Sequence, residues 1–391
     1  MAPGSGTHSY ALNSWVQSLA IQRLHPILRD AINHFKLPRD GNIRVADFGC
    51  SSGANTLTFA NIISIGFFAN GASEIQYFFN DLSTNDFNTL FQQMPPLNVR
   101  FGGNDNSFDV NSLPLKSGFG RSTKKAERKI DTRIYYAAAV PGSFYERLFP
   151  SSSLHLVLST NSLHWIPHLP EVVQNKASIA YNKGQTFINA QNPKALEACG
   201  EVFQENFQKF LVHRAIELAP GGLLVLLFRG RWTNLPTLEI VDEPPHRCMD
   251  FGMEAWEASW DDLIFEGLIN AELRDSFNIP IYHASMEDVR MAIDKTNVFV
   301  IQKLELLKQA ISTEMSKEVQ NSLFENPNLY GDLMSNAMRA TFGELVEVHI
   351  GLELANIFFQ RLKENFVIRV PKTNDAFNKV SGEFLIVLVS K

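Results

Sequence analysis

Residues 43–48, IRVADF, form a largely apolar run that ends on a carboxylate and breaks at once into GCSSGAN. A run of this kind reads as a strand buried on both faces, and such strands belong to parallel sheets covered by helices. The pattern recurs along the chain: IQYFFN (75–80), RIYYAAAV (133–140), LHLVLST (154–160), LLVLLF (223–228) and, at the end, EFLIVLVS (383–390), expected to close the sheet. Helical segments lie between. In 195–222 Phe203, Phe207, Phe210 and Leu211 share one helical face, and Pro-Gly-Gly stops the helix before the next strand. The expectation is an α/β fold, a doubly wound sheet with helices on both faces.

The texture changes after Arg229. Strand-like runs become few, and 256–269, 298–311 and 333–346 read as amphipathic helices. Three regions follow: a core over 1–229, a mainly helical cap over 230–359, and C-terminal strands over 360–391 that complete the core. The polar stretch 102–131, with the basic cluster RSTKKAERK at 121–129, reads as a surface loop.

Net charge of −6 gives a nucleic-acid surface little support. Cys50, Cys199 and Cys248 have neither metal spacing nor an even count, which suits a reducing compartment. The N-terminal MAPGSGTHSYALNS lacks a signal-peptide layout, and no apolar run reaches the ~20 residues of a membrane span. The expected location is cytoplasmic.

Ligands bind a doubly wound sheet at the carboxyl ends of its strands. Asp47 ends the first strand there, and Gly49 and Gly53 allow a tight turn and close approach. Asp81 ends the second strand and is placed to accept from ribose hydroxyls. The glycine spacing is G-x-x-x-G, not the G-x-G-x-x-G of a pyrophosphate cradle. A cationic nucleoside without phosphates fits better, and S-adenosylmethionine (SAM) is such a molecule.

SYALNSWVQ (9–17), ADFGCSSGANTL (46–57), NDLSTNDFNTLF (80–91), VPGSFYERLFP (140–150), STNSLHWI (159–166) and FNIPIY (277–282) occur in this order. Together with AMRA (337–340) and HIG (349–351), they make the chain resemble the plant SABATH methyltransferases over nearly its whole length. The resemblance implies a Rossmann-like methyltransferase core and SAM as cofactor. It implies methylation of a small carboxylic acid or, in one branch, of xanthine nitrogens. Cofactor contacts would fall on Tyr10, Ser14, Asp47, Gly49, Cys50, Asn55, Asp81, Leu82, Ser143 and Phe144. Gln17 and Trp165 would clamp the acceptor carboxylate. Asn161, His164, Gly252, Met253, Met338 and Phe359 would line the rest of its pocket. Some members hold a magnesium ion, which would correspond to Asn182, Asp275, the Phe277 carbonyl and Asn278; those residues also read as a plain helix end and turn. The family further implies a homodimer.

The chemistry is consistent with neutral donors. A carboxylic acid with a pKa near ~4.3 is ionised at neutral pH and needs no general base. What remains is orientation. The Gln17 amide and the Trp165 indole each offer an N–H. Other roles stay open here: His164 either bonds backbone or faces the acceptor, and Cys50 is either a small buried residue or a thiol at the site. Asn161 stands where the family usually has an aromatic, and the lysine of salicylate-type members is missing from MAPGSG. The stretch 250–269 resembles the indole-3-acetate branch, where glycine widens the pocket. An indolic or cinnamic acid is therefore favoured over salicylate. The alternatives are a xanthine-type N-methyltransferase, a methyltransferase of jasmonate, gibberellin or farnesoate, and a silent binder of a small acid or nucleoside.

Overall fold

The computed structural model describes residues 4, 6, 8–97, 132–231, 247–310, 317–370 and 381–391. The expected surface loop at 102–131 lies outside them. Seven strands form one sheet: β1 (Asn42–Phe48), β2 (Glu74–Asp81), β3 (Tyr136–Pro141), β4 (Leu154–Thr160), β5 (Leu218–Arg229), β6 (Val300–Ala310) and β7 (Ser381–Ser390). Their order is β3-β2-β1-β4-β5-β7-β6. The first five strands pair in parallel, and β7 runs antiparallel to both β5 and β6.

Two helical layers cover the sheet. On one face α2 (Trp15–Asn33) and α3 (Ala54–Ala69) pack Leu24, Leu28, Phe59 and Ile63 against Val45, Tyr77, Leu156 and Val225. On the other, α6 (Pro193–Glu217) and α9 (Met286–Thr296) pack Phe203, Phe207, Phe210 and Ile293 against Phe48, Val157 and Phe228. β4 sits centrally and is buried from Leu154 to Ser159. Local signals fix the helix ends: the Asn192 side chain caps α6 with Pro193 in its first turn, and Ser285 with Asp288 makes a capping box on α9. A third apolar cluster forms the cap, from α7 (Arg247–Phe265) and the long α11 (Pro327–Ile368).

Three sequence expectations need correction. The stretch 298–311, expected as a cap helix, contains strand β6, which pairs with β7 from Val300↔Ser390 to Ala310↔Ser381. Its Val, Ile and Leu residues suit both periods, and long-range pairing decides. β7 does not close the sheet, because β6 lies outside it as the edge, carrying the Lys303–Glu305 ion pair that discourages further pairing. Within 360–391 only Ser381–Ser390 is strand among the described residues, since α11 continues to Ile368. The reversal of β7 follows from the path: the chain leaves the cap, and Phe384 enters the sheet opposite Arg229, at the carboxyl end of β5.

Arg214 and Glu217 on α6 are fully buried, with Nε and Oε2 2.7 Å apart. Arg214 also donates to the carbonyls of Phe144 and Glu146, at 2.7 and 2.8 Å. Its guanidinium lies 4.1 Å from the centroid of the Phe48 ring. Glu217 accepts the backbone N–H groups of Leu148 and Phe149. One ion pair thus anchors the loop after β3 to the back of the sheet. Breaking a buried pair strands the partner charge, at about 3–5 kcal/mol. Arg214→Ala is therefore expected to lower the unfolding free energy by about that amount in urea titration; a loss below about 1 kcal/mol would show that the loop is held by other means.

Candidate active site

The strand order reverses between β1 and β4, so a crevice opens outside their carboxyl ends. A cleft of about 360 Å³, its open mouth included, lies there. Tyr10, Gln17, Gly49, Cys50, Asn55 and Asn161, all expected at the site, line it together with Ser51, Thr56 and Ser162. None of its lining residues is Lys, Arg or His.

The turn after β1 is shaped by its backbone. The N–H groups of Gly49 and Cys50 both donate to the Asn80 carbonyl, which ties the turn to β2. Gly49 has φ +78, and a Cβ there would meet Ser162 Oγ at 2.1 Å. The requirement for glycine at 49 is therefore steric and conformational. Gly53 differs from expectation: its φ is −95, and a Cβ would meet only ordinary contacts with Tyr10, Ala11 and Ser14 at 3.5–3.7 Å. Ser51, with φ +55, takes the left-handed position instead. Asn161, at the matching place after β4, also has positive φ, at +56. Asn tolerates that conformation where a bulkier aromatic pays more, which gives the departure at 161 a backbone reason.

Neither acid lines the cleft; each is hydrogen-bonded to a residue that does, Asp47 to Thr56 and Asp81 to Ser51. Asp47 is 1% exposed, and Thr56 Oγ1 donates to its Oδ2 at 2.5 Å. Its Oδ1 is buried without a hydrogen-bond partner. Burial pushes the Asp47 carboxyl up to about 7; the Thr56 bond pulls it down, and Asp81 adds to the rise. Asp81 Oδ2 accepts the Ser51 N–H at 2.7 Å and its Oδ1 accepts the Leu82 N–H at 2.8 Å. Burial raises its pKa as well, against those two bonds. A buried and a half-buried acid beside a cleft whose described lining carries no basic side chain make a site that gains from a cationic ligand.

Of the remaining expected cofactor residues, Tyr10, Cys50 and Asn55 line the cleft, and Ser14, Leu82, Ser143 and Phe144 lie outside its lining. Asn55 Nδ2 donates to Ser14 Oγ at 3.1 Å, joining α3 to the N-terminal segment. Tyr10, on the short helix α1 (Tyr10–Asn13), is buried, and its phenol is raised by burial and by Asp81. Leu82 is 54% exposed, an apolar side chain left at the rim. Ser143 Oγ accepts the Tyr145 N–H, and the Phe144 ring reaches to 3.7 Å from a Cβ built on Gly49. Cys50 is buried, its thiol donates to Ser51 O, and burial pushes its pKa up. It is a small packing residue, not an activated thiol.

On the acceptor side, Gln17 Oε1 is buried without a partner, a polar atom the protein itself leaves unpaired. Trp165 follows Asn161 on the loop after β4. Its backbone bridges Ile281, so the motifs at 159–166 and 277–282 dock on each other. Trp165, Met253 and Met338 pack against the cap cluster that contains Phe359. Phe359 is 3% exposed, with Phe358 and Trp256 beside its ring and the Arg339 guanidinium 5.0 Å from its centroid; it backs the pocket rather than facing it. A Cβ at Gly252 would meet nothing within 4 Å. His164 is buried; its Nδ1 lies 3.5 Å from the Arg229 backbone N, and its carbonyl accepts the Tyr282 N–H. Burial, with His283 and Arg229 near it, holds its pKa well below the usual range. Phe342 was not anticipated. Its ring centroid lies 5.8 Å from Trp165, 5.8 Å from Phe187 and 5.5 Å from Trp256. Its place four residues after Met338 on α11 was the available signal.

The four residues of the possible metal corner do come together. Asn182 Nδ2 donates to Asn278 Oδ1 at 2.8 Å and to the Gln185 and Phe187 carbonyls. Asp275 Oδ1 accepts from the Gly184 N–H and from Arg274 Nε. Asn182 Oδ1 is buried and unpaired, one oxygen available to a hard cation. The single carboxylate, however, is already paired with a guanidinium, and no group of three or more His, Cys, Asp or Glu stands together among the described residues. As arranged, these residues fit a hydrogen-bonded corner and not a cation shell, so no step below passes through a metal.

The Asp47 carboxyl gives a pH signature. Its folded value lies above the ordinary 3.8, so the folded chain holds this proton more tightly than the unfolded chain does. Its contribution to stability is present at low pH and is lost as pH rises from 3.8 through about 7. A ligand ammonium beside Asp47 reverses that cost. The affinity for S-adenosylhomocysteine (SAH) is therefore expected to rise several-fold from pH 5.5 to 7.5, with release of a proton at the low end. Calorimetry in two buffers of different ionisation heat measures both; a flat affinity would place the ammonium elsewhere.

A family profile described as SAM-dependent carboxyl methyltransferase matches residues 1–389. The chain is 35% identical to indole-3-acetate O-methyltransferase 1 of Oryza sativa subsp. japonica, over 93% of this chain and 86% of that protein. It is 34% identical to indole-3-acetate O-methyltransferase 1 of Arabidopsis thaliana, over 93% and 88%. Among solved structures, a loganic acid methyltransferase with SAH superposes with a TM-score of 0.74 at 28% identity, covering 100% of this chain and 98% of that one. With the cleft placed at the strand reversal, the acids behind it and the motifs docked around it, the chain belongs to the SAM-dependent carboxyl methyltransferases, the plant SABATH family.

Proposed function

We propose that this methyltransferase esterifies a small aromatic or indolic carboxylic acid, of the indole-3-acetate or cinnamate and benzoate type. The observation that carries this reading is the apolar wall around Trp165. Half-buried Phe342 stands beside it, Phe187 and Trp256 stack edge to face behind Phe342 in the core, and Gly252 adjoins Met253 with open space around it. Flat rings are well matched by such walls. The relatives named for indole-3-acetate support the same class.

SAM supplies the methyl group as a sulfonium. The acceptor carboxylate oxygen forms the new C–O bond, the C–S bond breaks, and its electron pair stays on sulfur; the products are a methyl ester and SAH. Gln17 and Trp165 aim the oxygen through neutral N–H donors. That choice suits a reaction that extinguishes both charges, since an Arg would hold the anion too well and stand unpaired beside the ester. Asp47 and Asp81 hold the ammonium and ribose ends of the cofactor. His164, neutral and bonded to backbone, takes no proton from the acceptor. Two finer expectations belong to the same reading: a cytoplasmic location, and a homodimer for which exposed Val348 and Leu352 on α11 offer apolar surface. No helix among the described residues is long and apolar enough to cross a membrane.

The deciding experiment gives the enzyme labelled SAM with a panel of free acids and xanthines and identifies the methylated products. Ester from indolic or cinnamic acids supports the reading; methylated xanthine, or ester from jasmonate or gibberellin alone, overturns it. Gly252→Trp should leave benzoate-sized acids as substrates and lose bulkier ones, whereas equal loss on all acids would move position 252 out of the pocket. Gln17→Ala should lower kcat/KM for the acid about 10²-fold through misplacement of the oxygen, and with SAM kept saturating the acidic limb of the pH profile should follow the acceptor near ~4–5. His164→Ala should leave that profile's shape unchanged. A limb near ~6.5 that vanishes in His164→Ala would reveal a protein base and turn the reading toward a ring N–H acceptor.

A further inference from the structure

Two loops have to agree on one position for the reaction to occur. The loop after β3 carries Ser143 and Phe144 on the cofactor side. The loop after β4 carries Asn161 and Trp165 on the acceptor side. Tyr145 bridges them. Its ring lies 4.6 Å from that of Phe144, centroid to centroid, and its hydroxyl donates to the Trp165 carbonyl at 2.8 Å. The bond is partly buried, and burial pushes the Tyr145 phenol upward. Both ends of the bridge are anchored. Arg214 holds the carbonyls of Phe144 and Glu146, on either side of Tyr145. The Trp165 N–H donates to Ser162 O, and its backbone pairs with Ile281.

We propose that Tyr145 is a positioning residue, whose hydroxyl sets the place of Trp165 relative to the bound cofactor. The inference rests on the proposed role of Trp165 in holding the acceptor carboxylate. The physical argument is one of tolerance. Methyl transfer needs the attacking oxygen in line behind the methyl carbon, and a misplacement of about 1 Å can cost about 10²-fold in rate. Loops are the softest parts of this fold. A partly buried hydrogen bond from the cofactor loop to the clamp residue removes that softness where it matters. It also gives the clamp a way to respond when the cofactor fills the crevice: displacement of Phe144 moves Tyr145, and Tyr145 moves the Trp165 backbone. Loss of the hydroxyl removes the tie to the Trp165 carbonyl but keeps the ring packed on Phe144.

The test is Tyr145→Phe. Expected is a fall in kcat of about ten- to a hundredfold, with KM for the acid and Kd for SAH changed less than about threefold. An unchanged kcat overturns the proposal, as does a fall matched by an equal loss of SAH affinity, which would mark a plain structural role. A second readout needs no turnover. With 5-fluorotryptophan in the chain and the Trp165 signal assigned by Trp165→Phe, SAH should shift the Trp165 fluorine resonance in wild type and not in Tyr145→Phe. A resonance that ignores SAH in wild type, or moves equally in both, overturns the coupling. A wild type that shows the shift but esterifies no acid would instead overturn the proposed function. If Tyr145→Phe fails to fold, 4-fluorophenylalanine at 145 fills nearly the same volume and removes the O–H donor; an unchanged kcat there is equally fatal.

Discussion

The buried Arg214–Glu217 pair is the interaction on which the site's geometry depends. A charge pair in an apolar interior is costly to desolvate and is tolerated only when each remaining donor and acceptor is used. Here they are used on backbone. Arg214 takes two carbonyls from the loop after β3, and Glu217 takes two N–H groups from the end of the same loop. The guanidinium face then rests on Phe48, the last residue of β1 and the neighbour of Gly49. The pair thus ties α6, β1 and the loop that carries Phe144 into one unit behind the cleft.

In front of that unit the site is built from carboxylates without cations. Asp47 and Asp81 are kept among neutral groups, and the cleft lining carries no basic side chain. This arrangement is strained for the empty protein and relaxed by a cationic ligand. The acceptor side follows a different logic. On the proposed reading its polar groups are the neutral Gln17 amide and Trp165 indole, with the Phe342 ring beside Trp165. A site that binds a cation and an anion and converts both to neutral products gains by holding each with no more charge than binding needs. The two halves meet at Tyr145, whose ring belongs to the cofactor loop and whose hydroxyl reaches the clamp.

The sequence by itself determined most of the sheet and the outline of the site. β4 runs over the same residues, 154–160, that the apolar run predicts, because a central strand buried on both faces leaves an unbroken signature. Asp47 and Asp81 were legible for a related reason: a charge at the end of such a strand has few structural explanations. The motifs at 159–166 and 277–282 were legible as separate pieces, though not as partners. What only tertiary structure decided is long-range. β6 has a periodicity compatible with helix, and only its pairing with β7, some eighty residues away in the chain, makes it a strand. Ser51 rather than Gly53 takes the left-handed conformation, because backbone φ depends on where the turn must send α3, not on residue type alone. Tyr145 gave no local sign of its role, and Phe342 gave only its place four residues after Met338. An aromatic ring on a helix and a tyrosine in a loop are common in any sequence; what distinguishes these two is which rings and which carbonyl the fold brings against them, and contact of that kind is a property of the packed chain.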